Sequence, residues 1–210
     1  MRTWILSILT LTGMVVLASA QSAGNPPALP PGHPAPPGQG ALPPGHPPVE
    51  ESPFPADPAD VATVDAALDA YYASISGPKG AARDWARFQS LFVAEARFIS
   101  LKPSGPGESR AFAMTTSQYI DFTRTYFERG GYFERDIHRE IDQYRGIAQV
   151  FSTYESRRVA DQPAYARGIN SFQLIHDGKR WWITTMSWQL EAPGPDGEPI
   201  PAAYLPASSN

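Results

Sequence analysis

The sequence predicts an α+β domain: three N-terminal helices packed on one curved, mainly antiparallel sheet. Three observations carry that expectation. Apolar residues recur at spacings of three and four in three separate segments before Gly130. From Phe133 onward the pattern changes to alternation, in four runs of strand length. The last two runs are joined by "HDGK", whose Asp177-Gly178 pair signals a tight hairpin. Helices first and an antiparallel meander after is an α+β order.

The first helix is expected over Asp60–Ser76, with Val61, Val64, Leu68, Tyr71, Tyr72 and Ile75 inward. Asp60 would cap it and Gly77-Pro78 would stop it. The second, Ala82–Phe92, repeats the pattern with Trp85, Phe88, Leu91 and Phe92. A short strand in "ARFISL", Ala96–Leu101, is followed by a Pro/Gly-rich loop at Pro103–Gly107 and a second short strand near Arg110–Met114. The third helix opens on a Thr115/Gln118 capping box, turns Tyr119, Phe122, Tyr126 and Phe127 inward, and ends at Gly130-Gly131. Strands are then expected at Phe133–Gln143, Gly146–Arg157, Ala166–His176 and Arg180–Leu190. The first of these sets Phe133, Ile137 and Ile141 against mostly charged residues, so its charged face should meet water.

The segments before the domain are of another kind. Residues 1–20 combine Arg2, an uncharged apolar run at Trp4–Leu17 and the small residues Ala18–Ala20, the pattern of a secretory signal peptide cleaved before Gln21. Residues 21–58 are rich in Pro and Gly and carry "LPPGHP" twice, which reads as a disordered, polyproline-like spacer. The domain is expected over 59–206, with a short tail at 207–210. Export to the periplasm or the extracellular space follows, with no membrane span left after cleavage. With no cysteine in the chain, thiol chemistry and disulfides are excluded, and stability must come from the core. A net charge of −4 without a basic cluster excludes nucleic acid as the natural partner.

A two-residue turn at Asp177-Gly178 would pair His176 with Lys179 and sort the last strands into two faces. One face takes Ala148, Val150, Phe172, Leu174, Trp181 and Ile183, ordinary packing material. The other takes Gln149, Thr153, Glu155, Arg167, Gln173, Trp182, Met186 and Trp188. Polar groups among large aromatics suit the wall of a small-ligand cavity, so these eight form the candidate binding site. Trp and Arg on a sheet face suit a subunit interface as well, and that alternative stays open. Across the loop at Arg158–Tyr165, which does not itself dictate the pairing, one register open to the preceding strand puts Gln149, Thr153 and Glu155 beside Gln173, Ile169 and Arg167.

With the elements in this order, the chain resembles the nuclear transport factor 2-like superfamily, the cone-shaped fold of SnoaL-like cyclases and ketosteroid isomerases. The segments "GIAQVFSTYESR", "YARGINSFQLIHDGKRWWI" and "IPAAYLP" resemble an uncharacterised, often exported bacterial subgroup of it. The resemblance implies a cavity between the helices and the concave sheet, a last strand that lines it through a tryptophan such as Trp188, and a homodimer paired through the sheet. It does not bring catalytic residues with it. "ARFISL" holds no acid where the isomerases place their base, and Arg167 or Ile169 stands near the acid of their oxyanion pair. The subgroup has a histidine where this chain has Gln149.

The chemistry expected is therefore modest. No Ser–His–Asp spacing, phosphate loop or zinc motif appears, no cofactor or metal is called for, and no catalytic residue is assigned. His138, between Asp136 and Glu140, reads as part of a solvated face. The reading is an exported domain that binds a small molecule or a partner. The alternative is a cyclase-, isomerase- or hydrolase-type enzyme using Glu155 with Tyr154 or Tyr72. A deeply buried carboxylate with no compensating arginine would favour the enzyme.

Overall fold

The computed structural model describes residues 52–105, 108–191 and 199–207. The expected signal peptide and nearly all of the spacer lie outside the described residues, and no helix among the described residues is long and apolar enough to cross a membrane.

The domain is α+β, as expected. Helix α1 spans Val64–Ile75, α2 spans Trp85–Ser90 and α3 spans Thr116–Gly130. Strands β1 (Phe92–Gly105), β2 (Glu108–Met114), β3 (Phe133–Tyr144), β4 (Ile147–Arg157), β5 (Ala166–His176) and β6 (Trp181–Leu190) form one sheet in the order β2-β1-β6-β5-β4-β3. All neighbours are antiparallel except β1 and β6, which run parallel. The last strand made thus lies between the first strand and β5.

The helix ends follow local chemistry. Thr63, rather than Asp60, caps α1 by accepting from the Ala66 amide at 3.0 Å. Asp60 is instead in a preceding 3-10 turn, Pro58–Val61, where it takes the Arg87 guanidinium on both oxygens at 2.7 and 2.8 Å. The α3 capping box forms in both directions, and Gly131 stops the helix with a φ of 72°, a conformation open to glycine. The buried stripe of α3 is Tyr119, Ile120, Thr123 and Phe127; Phe122 and Tyr126 are more than 40% exposed, at 58% and 48%. Strand β1 begins at Phe92, not Ala96, and runs through Pro103 to Gly105. Its far end pairs with β2, and the residues of that pair are largely exposed.

Between helices and sheet lies an aromatic core. Tyr71, Phe88, Phe92, Phe98 and Phe172 are all fully buried, with Phe92 and Phe98 centroids 4.8 Å apart and Tyr71 edge-on to Phe172 at 5.1 Å.

Candidate active site

The inner face of the sheet is set by register. The β4–β5 pairing is the expected one: Gln149 faces Gln173, Thr153 faces Ile169 and Glu155 faces Arg167. The β5–β6 hairpin differs. Its loop holds four residues, because the Asp177 carboxylate accepts from the Lys179 amide at 2.8 Å and the Arg180 amide at 2.9 Å, an Asx-type turn. His176 therefore pairs with Trp181. A shift of two residues would leave every face unchanged. A bulge at Thr184 then adds one more residue, and one residue exchanges the faces beyond it.

The eight candidate residues divide accordingly. Met186 and Trp188 pair with Phe172 and Asn170 on the inner face and line a cavity there. Gln149, Thr153, Glu155, Arg167, Gln173 and Trp182 belong to the outer face. There Thr153 Oγ1 donates to the Tyr204 carbonyl at 2.5 Å, and Phe151 meets the Tyr204 ring at 5.5 Å. Arg167 grips Glu191 on two oxygens at 2.8 and 2.9 Å, rather than Glu155, and Glu155 accepts from Arg157. Trp182 donates to Asp177 at 2.9 Å beneath the Arg180 guanidinium. Trp181 and Trp188, expected on opposite faces, share the inner one.

The cavity holds about 440 Å3 between α3 and the inner sheet face. Its wall is aromatic, with Tyr71, Tyr119, Phe127, Tyr132, Tyr154 and Trp188 among the lining side chains. Trp188 meets Tyr119 edge-on at 5.8 Å. One carboxylate lines it: Glu134, at the start of β3, only 7% exposed.

Glu134 is surrounded by neutral donors. Tyr132 donates its hydroxyl proton to Oε2, Ser156 Oγ donates to the same oxygen at 3.2 Å, and Asn170 Nδ2 donates to Oε1 at 3.1 Å. Asn170 also reaches the Tyr72 hydroxyl at 3.2 Å, and that hydroxyl lies 2.6 Å from Ser152 Oγ. No lysine or arginine pairs with Glu134 among the described residues. Burial pushes its carboxyl up from 4.5 to about 7, against the lowering effect of the three hydrogen bonds. Burial also raises Tyr132, Tyr72 and Tyr154, so these phenols keep their protons.

Sequence reasoning missed Glu134 by counting it among the water-facing charges of β3. A bulge at Ile137 puts Glu134 and Asp136 inward while His138 and Glu140 face outward. The signal available was on β4 and β5. Ser152, Ser156 and Asn170 interrupt an otherwise apolar parity, and such interruptions need a polar partner.

Tyr154 owes its place to a glycine opposite. A Cβ at Gly168 would lie 2.7 Å from the Tyr154 hydroxyl and 2.5 Å from the Gln189 carbonyl. Gly168→Ala is expected to lower stability by about 2 kcal/mol through overpacking, read as a drop in the urea midpoint. An unchanged midpoint would mean that the strands part there at no cost.

No family model matches the chain, and no curated protein does. Solved structures are similar in fold. An NTF2-like protein of unknown function from Silicibacter pomeroyi is 13% identical over 61% of this chain and 93% of its own, with a TM-score of 0.43. A protein of unknown function with a cystatin-like fold from Nostoc punctiforme is 10% identical over 63% and 96%, with a TM-score of 0.47. A candidate ketosteroid isomerase from Parabacteroides distasonis is 11% identical over 61% and 88%, with a TM-score of 0.42.

Proposed function

We propose that this domain is an acid/base enzyme in which Glu134 takes and returns a proton on a small, largely apolar molecule held in the aromatic cavity. One observation carries the reading: Glu134 is buried in that cavity without a cationic partner. Burial there holds the carboxyl near neutrality, where it is both a usable base and a usable acid. Tyr132 and Asn170 fix the carboxylate in place and can return hydrogen bonds as its charge changes. The neutral tyrosines add donors for an oxygen that gains charge during proton transfer.

A generic probe tests this without knowing the substrate. 5-Nitrobenzisoxazole opens its ring when a base removes its carbon-bound proton. The domain is expected to accelerate that reaction by about 10²-fold or more over acetate at equal concentration. The rate should rise with pH through a midpoint near 7 and vanish in Glu134→Gln. A profile that rises below pH 5, or a variant that keeps the rate, would overturn the acid/base reading.

A binding role without chemistry is the second reading, and one observation favours it. Both Glu134 oxygens already accept hydrogen bonds from the protein. On that reading the cavity binds aromatic probes and the ring-opening reaction does not occur. Export is part of the proposal and is supported by the signal-like residues 1–20 and the Pro-rich residues 21–58.

A further inference from the structure

We propose that the molecule taken by this cavity carries an anionic group, a carboxylate on an aromatic or apolar body, and that Arg158 at the cavity rim receives it. The inference rests on the cavity being the working site and adds the class of molecule that enters it.

Arg158 lies in the connection between β4 and β5. Its guanidinium is 4.4 Å from the ring centre of Tyr126 and 4.7 Å from that of Tyr165. Both tyrosines line the cavity, both are about half exposed, and their hydroxyls are 3.4 Å apart, so they form its rim. The guanidinium donates to the Tyr126 hydroxyl and, at 3.3 Å, to the Gly131 carbonyl. Neither acceptor is charged, and Arg158 makes no ion pair among the described residues. A guanidinium has five N–H donors, so a further acceptor can be bound.

The place is shaped for this side chain. A Cβ at Gly130 would lie 2.6 Å from Arg158 Nη1, so the glycine leaves the guanidinium its room. A shallow second pocket beside it, about 480 Å3, is lined by Arg158 and Arg129 together with Phe122 and Tyr126. Phe122 and Tyr126 also line the aromatic cavity, so it and the cationic recess share a wall.

Several arginines of the domain have their charge or their donors spoken for. Arg139 is held by Asp65, Asp69 and Asp136, Arg167 by Glu191, and Arg83 by backbone carbonyls. Arg110, Arg124, Arg145 and Arg180 also lie over aromatic rings, but only the rings beneath Arg158, Tyr126 and Tyr165, line the cavity, and they orient the guanidinium without neutralising it. A planar fork held at the edge of an apolar cavity matches a carboxylate whose apolar body lies inside.

The test uses the full chain and two isosteric probes, 2-naphthoate and the neutral 2-naphthamide, titrated calorimetrically at pH 6. The acid is expected to bind about tenfold more tightly than the amide. Arg158→Gln should remove that preference and leave the amide's affinity unchanged, and Arg158→Lys should retain part of it. Equal binding of the two probes by the natural protein would overturn the proposal, as would a preference that survives Arg158→Gln. If the amide binds and the acid is not preferred, the cavity stands and the anion site falls; if neither binds, both fall. Should Arg158→Gln not fold, the selectivity of the natural protein decides alone.

Discussion

Replacing Glu134 with Gln is expected to stabilise the domain above pH 7 and to leave it little changed near pH 4. The folded carboxyl titrates near 7, raised by burial above its ordinary 4.5. Between those two values the native state holds a proton that the unfolded chain has released. Stability therefore falls as pH rises through that window and levels off above it. At roughly 1.4 kcal/mol per unit, the cost of ionising the buried group comes to about 3 kcal/mol. Gln cannot ionise, and its amide can still accept from Asn170 and donate to Tyr132 or Ser156. The measurement is urea unfolding of both proteins from pH 4 to pH 9. The difference between the two curves should open between about pH 4.5 and pH 7; parallel curves would show that Glu134 is not held away from water. Taking the difference removes other carboxylates, such as Asp60 and Glu191, whose lowered values act in the opposite sense at lower pH. If the variant also loses the ring-opening activity, the same residue would combine a stability cost with a reactive group.

Arg83→Ala is expected to cost about 3–5 kcal/mol, the largest effect of any single change proposed for this domain. Arg83 is only 6% exposed, and its guanidinium donates to the Ile75, Gly77, Ala81 and Phe127 carbonyls at 2.6–2.9 Å, with Pro78 at 3.4 Å. Ile75 ends α1 and Phe127 lies in the last turns of α3, so one cation caps carbonyls of two helices. Removing it strands those acceptors and opens a void beside the stacked rings of Phe127 and Tyr132, 3.9 Å apart. Arg83→Lys should recover only part of the loss, because a single ammonium cannot fan out to carbonyls on several sides. Denaturant midpoints decide the matter, and a loss below about 1 kcal/mol would mean that water replaces the guanidinium without penalty.

The fold class was legible because its signals are local. The α3 capping box and the stop at Gly130-Gly131 rest on residues near one another in sequence, and both are present in the structure. The site was far less legible, for two reasons. A one-residue bulge inverts every face beyond it, and neither Thr184 nor Ile137 differs from an ordinary strand residue. Glu134 looks like its neighbours Asp136 and Glu140 until Tyr132, Ser156 and Asn170 are brought around it from two strands and a loop. The Asp177 loop shows the same limit at closer range. The Asp-Gly pair does mark a turn, but the carboxylate's grip on two amides and the Trp182 indole makes it a longer one.

The place of β6 in the sheet sets the order in which the domain can be completed. Among the described residues, β6 is the strand that joins the β2-β1 pair to the β5-β4-β3 sheet. A chain still emerging from a ribosome holds two separate half-sheets until residues near 190 are out. Neither half can close the aromatic core alone, since Phe98 belongs to one and Phe172 to the other. Pairing the first strand with the last also requires contacts of long sequence separation, which slow folding. The topology thus makes closure of the sheet wait for β6 to be inserted.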